Sequence, residues 1–303
     1  MGEKMKGDYL MKKLSENVMV LGNGYFNFYL AGKEKAALLE CGTRAGAAIF
    51  KEQWSQLQDK PEVKYIVILH SHFDHSCGVP ILKEIFPEAQ VLASATAQKL
   101  LSKERIVKDL YRNDAIVSES YIKNGFLKEK PDTSELDNIP VDRTVGEGDI
   151  VGLGQGLQLK ILDAPGHSVC SIAAYLETDQ AMFLSDAAGY RSSESEISPV
   201  FFQGYDNYMN TLNKLMSYPA KILGVAHGDI PLGDEVDKFY QQTIQAAEKG
   251  FEYIKNCLNE GVGEKDLADR LFKRYIKGGL AYYPEAMMLG AMQLLIASVK
   301  LKM

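Results

Sequence analysis

Apolar positions fall into distinct regimes along the chain. Near the start they come in short runs, Asn17–Gly22, Tyr25–Ala31 and Lys35–Cys41, each closed by a Gly- or Lys-bearing turn, and these predict strands. A helical stretch over Ala45–Leu57 follows. Val63–Leu69 is an almost unbroken apolar run, the pattern of a strand buried on both faces, and it stops at His70. A short helix around Val79–Phe86 and a strand at Ala89–Ala93 come next. This strand–loop–helix–strand order predicts a layered α/β domain.

Residues Ala95–Lys130 carry a helical pattern with many basic positions. Strand patterns resume at Leu157–Leu162, Ser171–Leu176 and Ala181–Leu184, and a Ser- and Glu-rich loop is expected over Tyr190–Pro199. In the next segment Tyr205, Tyr208, Met209, Leu212, Leu215 and Met216 share one face of an amphipathic helix. The last strand is expected at Lys221–Ala226. Beyond Asp234 only helical signals remain: Glu235–Glu260, Glu264–Ile276 and Pro284–Lys302, punctuated by glycines. The chain thus divides into an α/β core, 1–233, with a helical insertion at about 95–130, and a helical appendage, 234–303.

Composition narrows the class. Apolar residues make up 46% of the 303 positions, enough for a sizeable core without cross-links. A net charge of −6 argues against nucleic acid as a partner. The four cysteines are too scattered for a disulfide framework, and Cys77 and Cys170 read as small buried apolar residues. The lysine-rich start has no apolar signal core, and no window reaches the length of a membrane span, so a cytoplasmic protein without a membrane partner is expected.

The chemistry concentrates in the histidines. There are five, and three of them fall in His70-Ser71-His72-Phe73-Asp74-His75, directly after the buried strand. One histidine alone would be an ordinary polar group. Three imidazoles and a carboxylate within six residues would crowd and desolvate one another without a cation to share. His167 follows a strand in Asp163-Ala164-Pro165-Gly166-His167, and His227 ends one in Val225-Ala226-His227-Gly228. Asp186 also ends an apolar run, where a carboxylate needs compensation. Each therefore sits at the C-terminal end of a strand, where α/β sheets gather their sites.

An HxHxDH motif, then a PGH turn, then an Asp after a strand and a late AHG turn resembles the metallo-β-lactamase superfamily, over about Asn17 to Gly228. The resemblance implies a four-layer αββα sandwich, here with a helical insertion and a C-terminal helical cap. It also implies two divalent metals, one held by His70, His72 and His167, the other by Asp74, His75 and His227, with Asp186 bridging. Leu39-Glu40-Cys41-Gly42 departs from the superfamily's usual Asp-x-Gly turn by placing Glu40 where Asp is the rule. Imidazole and carboxylate ligands without thiolate suit zinc, iron or manganese. The segments Ser185-Asp186-Ala187-Ala188-Gly189, Pro199-Val200-Phe201, Tyr282-Tyr283-Pro284-Glu285 and Leu289-Gly290-Ala291-Met292 further resemble the PqsE-type thioesterases, whose C-terminal helices cover the metal site and which hydrolyse an aroylacetyl-CoA thioester.

Two metals about 3.5–4 Å apart bring the pKa of a shared water toward neutrality, so the expected reaction is hydrolysis by a metal-bridging hydroxide. If every histidine is a ligand, none is free to protonate a leaving group. A thiolate, with a pKa of roughly 8.5, hardly needs an acid, whereas an alkoxide or amide nitrogen does. A small-molecule thioester therefore fits best. Asp74 and Tyr190 are the candidate catalytic residues, Tyr190 as a proton donor or else as a packing aromatic. A lactonase using Tyr190, a glyoxalase II-like enzyme using Lys273, Arg274 and Lys277, and a partner-binding protein with a structural metal site are the alternatives. The apolar residues of the helical additions exceed what solvated helices carry. They are expected to pack on the core, to roof the metal cleft, or to form a homodimer interface.

Overall fold

A computed structural model describes residues 11–131, 135–193 and 196–303. The first ten residues of the lysine-rich start lie outside them. One sheet runs in chain order: β1 (Lys12–Lys13), β2 (Val18–Gly22), β3 (Asn27–Ala31), β4 (Lys35–Leu39), β5 (Glu62–Val67), β6 (Gln90–Ala93) and β7 (Arg143–Thr144). It is antiparallel up to β4 and parallel from β4 onward. The second sheet contains β8 (Ile150–Gly154), β9 (Leu157–Asp163), β10 (Ile172–Leu176), β11 (Ala181–Phe183) and, after a separate hairpin of β12 (Tyr190–Ser193) and β13 (Glu196–Ser198), β14 (Ile222–Gly224). Its order is β14-β11-β10-β9-β8.

The strands are apolar on both faces because both faces are covered. In β3, Tyr29 and Ala31 point into the inter-sheet core, where they meet Leu159, Ile161, Ala174 and Phe183, while Phe28 and Leu30 point to the helices outside. The same alternation splits Met182 from Phe183 in the second sheet. Outside the first sheet lie α1 (Arg44–Gln56), α2 (Phe73–Ser76), α3 (Val79–Ile85), α4 (Ala95–Leu101) and α5 (Glu104–Lys123). Outside the second lie α6 (Tyr205–Met216), α7 (Glu235–Asn259), α8 (Glu264–Tyr275) and α9 (Glu285–Lys300). The result is the four-layer αββα sandwich with C-terminal helices.

Local chemistry sets several boundaries. Thr43 and Ser94 cap α1 and α4 by accepting from the N–H of Gly46 and Ala97. The helical pattern over Ala95–Lys130 is two helices, broken at Ser102 and Lys103, and the second stops at Lys123, before Gly125 turns left-handed. The expected loop over Tyr190–Pro199 is instead the β12–β13 hairpin. Its arms are too short to show alternation in sequence, and it is held by Ile197 and Ser198 buried beneath the cap, with the Ser198 hydroxyl donating to the Tyr275 carbonyl at 2.7 Å. Strands β7 and β8 carry no apolar run that would announce them. No helix among the described residues is long and apolar enough to cross a membrane.

One buried ion pair fastens the insertion to the core. Asp114 of α5 accepts from the backbone N–H of Arg44 at 2.8 Å and from its Nε at 2.6 Å, and both side chains are buried. Asp114→Ala would strand a buried guanidinium and should cost about 3–5 kcal/mol in denaturant unfolding. A loss below about 1 kcal/mol would mean that Glu135, 3.7 Å away, takes over as the partner.

Candidate metal centre

All five histidines meet at one end of the sandwich. β5 runs on through Ile68 and Leu69 to His70, and the Leu69 carbonyl accepts from the N–H of Ile172 in the other sheet at 2.9 Å. The loop then turns into α2, which presents Asp74 and His75. His167, Asp186 and His227 follow the ends of β9, β11 and β14. Gly166 is indispensable to the PGH turn: its φ is +129°, and a Cβ there would lie 2.4 Å from the Cα of Tyr208.

The ligand atoms form overlapping triads whose members lie within 4.8 Å of one another: His70, His72 and His167; His70, His75 and Asp186; Asp74, His75 and His227. The Nδ1 of His72 lies 3.1 Å from the Nε2 of His70 and 3.1 Å from that of His167. Asp186 stands between the groups. Its Oδ2 is 3.2 Å from His75 Nε2 and 3.6 Å from His167 Nε2, and its Oδ1 is 3.5 Å from His227 Nε2. Asp74 faces His75 at 3.6 Å and His227 at 3.7 Å.

The outward nitrogens fix the rings. Glu40 accepts from His75 Nδ1 at 2.8 Å, and the Tyr25 carbonyl accepts from His227 Nδ1. A carbonyl oxygen can only accept, so the His227 proton sits on Nδ1 and its Nε2 points inward, and the contact with Glu40 turns His75 Nε2 inward in the same way. The Glu at position 40 thus orients an imidazole from the left-handed region, at φ +74°; Ser185, beside Asp186, is held there too, at +54°, with its hydroxyl 3.3 Å from His70 Nδ1. Strained backbone of this kind persists where the surroundings over-determine it.

Burial and neighbouring imidazoles hold His70 well below the usual imidazole range, and burial pulls His167 down to about 3 despite the Asp186 carboxylate beside it. Burial would raise Asp186, yet His75 and His227 keep its carboxyl well below the carboxylate range. Burial would lower His75, yet Asp74, Asp186 and Glu40 around it hold it well above the imidazole range, so a metal ion binding there would displace a proton from this imidazole. At 3.1 Å the ring nitrogens of His70, His72 and His167 are close enough to share a proton, and a cation can take that proton's place among the same lone pairs. The donor set fits divalent metal.

Of the other candidates, Cys77 and Cys170 are buried and unpaired. Cys170 is more than filler: its Sγ lies 3.2 Å from the Ser71 hydroxyl and 3.0 Å from that of Ser168, between two histidine loops. The Tyr190 ring is 6.1 Å from that of His227, and its hydroxyl faces the backbone at Gly279. Sequence reasoning missed Tyr283, whose hydroxyl donates to Asp74 Oδ2 at 2.7 Å. Its place in a Tyr-Tyr-Pro segment after a glycine pair was visible, but nothing local tied it to residue 74.

The family model of the metallo-β-lactamase superfamily matches residues 22–227, the span that holds every side chain of the cluster. The chain belongs to this superfamily. Among its relatives, the metallo-beta-lactamase fold-containing protein ST1585 of Sulfurisphaera tokodaii is 22% identical over 73% of this chain and 79% of its own. That protein's crystal structure superposes with a TM-score of 0.53 at 23% identity, over 73% of this chain and 81% of the other. The atrochrysone carboxyl ACP thioesterase of Aspergillus fumigatus is 22% identical over 75% of this chain and 67% of its length. A putative diflavin flavoprotein of Synechocystis is 25% identical over 70% of this chain, which spans only 34% of that protein. Superfamily members are mostly hydrolases.

Proposed function

We propose that the protein is a dinuclear metal-dependent hydrolase of acyl thioesters, acyl-CoA-like in class. His70, His72 and His167 would hold one metal, Asp74, His75 and His227 the other, with Asp186 shared and zinc, iron or manganese as the ion. The observation that carries the reading is that all five histidines turn into the cluster. None is left as a general acid, which favours a leaving group that departs unprotonated. The named thioesterase among the relatives agrees with this, as does the resemblance to the PqsE-type enzymes.

When bound, the metals would activate water near neutral pH and polarise the carbonyl under attack. The chain supplies the rest. Glu40 and the Tyr25 carbonyl hold the Nε2 atoms of His75 and His227 inward, and Asp186 and Asp74 remain ionised. Burial pushes the Tyr190 phenol up to about 12, so it keeps its proton at neutral pH and is the donor we assign for less acidic leaving groups.

Thioesters should therefore turn over at least about tenfold faster than matched alkyl esters. Tyr190→Phe should slow alkyl esters and lactones while sparing thioesters. Equal kcat/KM for thioesters and amides would sink the leaving-group argument. A clear preference for lactones or for glutathione thioesters would move the assignment to those classes within the same metal centre.

A further inference from the structure

Within the link between α8 and α9, residues 277–284 pass beside the centre as a strap. Gly278–Tyr282 forms a 3-10 turn, entered with Gly278 at φ +59°. The next residue, Tyr283, donates to Asp74 Oδ2 at 2.7 Å, and its ring lies 6.1 Å from that of Phe73, edge-on. Among the described residues, this is the one hydrogen bond from the C-terminal helices to a candidate ligand side chain. Tyr282 packs on the other side, its ring 4.9 Å from that of Tyr25, the residue whose carbonyl holds His227. The strap therefore grips both flanks of the Asp74–His75–His227 group.

We infer that Tyr283 is a positioning residue: its hydroxyl fixes the Asp74 carboxylate for metal and latches the strap beside the centre. A carboxylate oxygen can accept this bond and still face a cation, because it offers more than one lone pair. A partner that orients a ligand raises metal affinity. By reciprocity, metal that favours the oriented carboxylate favours the closed strap. The affinity half of this inference rests on the metal centre proposed above; the latch half does not.

The test uses full-length Tyr283→Phe, which keeps the ring and removes only the hydroxyl, with Tyr282→Phe as the control. Backbone amide exchange of residues 277–284 is followed in metal-free and zinc-loaded protein, and zinc is titrated against a chromophoric chelator. Tyr283→Phe should speed strap exchange in both states. It should also weaken one zinc site by about 10–100-fold while sparing the other. Zinc should slow strap exchange in the wild type and fail to do so in the variant. Tyr282→Phe should behave as wild type. Exchange and affinity both within twofold of wild type would overturn the inference, as would an equal effect from Tyr282→Phe. Faster exchange in Tyr283→Phe with a wild type that takes up no second zinc would uphold the latch and defeat the two-metal centre.

Discussion

Asp186→Ala should strip the protein of at least one metal and lower kcat/KM for its best substrate by about 10³-fold or more, the scale of losing several kcal/mol of charge stabilisation. The reason is geometric. Asp186 is the side chain that faces His75, His167 and His227 together, so its removal leaves both triads short of their shared carboxylate. The fold should survive, because the residue is half-buried at the end of a strand and carries no core packing. Elemental analysis of protein purified without added metal, paired with a thermal melt, separates loss of metal from loss of structure. A variant that keeps two metals per chain, or a metal-free wild type that hydrolyses at full rate, would refute the shared-carboxylate scheme.

Ending the chain after Gly233 should have a larger structural effect: no soluble, cooperatively melting protein. The C-terminal helices are the outer layer of the second sheet, with Phe239, Tyr240, Ile254, Leu271, Leu295 and Ile296 in one core with Leu184, Phe201 and Leu212. Phe251 packs its ring 4.4 Å from that of Tyr205, Gly250 admits Pro199 and Phe201 closely, and Thr243 donates to the Ala188 carbonyl two residues from Asp186. Each large apolar side chain left facing water costs roughly 1.5–3 kcal/mol, and a domain has only about 5–15 kcal/mol to lose. Soluble yield and the loss of a cooperative circular-dichroism transition are the measurements. A folded, metal-loaded truncation would show that the sandwich closes without its last layer.

Much of this was legible because period and burial agree. The run at Tyr25–Ala31 read as a strand and that at Val63–Leu69 as one buried on both faces, since both sheet faces are covered, and the amphipathic stripe of Tyr205–Met216 gave α6 its true limits. The histidines were legible because three of them are adjacent and the others end strands. What escaped was whatever depends on pairing at a distance. The β12–β13 hairpin has arms too short for a periodic signal and exists through contact with α7 and the Tyr275 carbonyl. β8 alternates buried and exposed residues around glycines, without the apolar density of its neighbours. Tyr283 reaches Asp74 across 209 residues of chain, and no local pattern encodes such a reach.

The bond between His227 and the Tyr25 carbonyl spans 202 residues. During synthesis, this gives the centre an order of assembly. His70, His72, Asp74 and His75 leave the ribosome early and close together, but the imidazole that completes their group arrives only with the last strand of the second sheet. Contacts of such long range form late in folding, after both sheets have docked. An ion taken up by the early histidines would therefore meet an incomplete donor set until His227 arrives with β14.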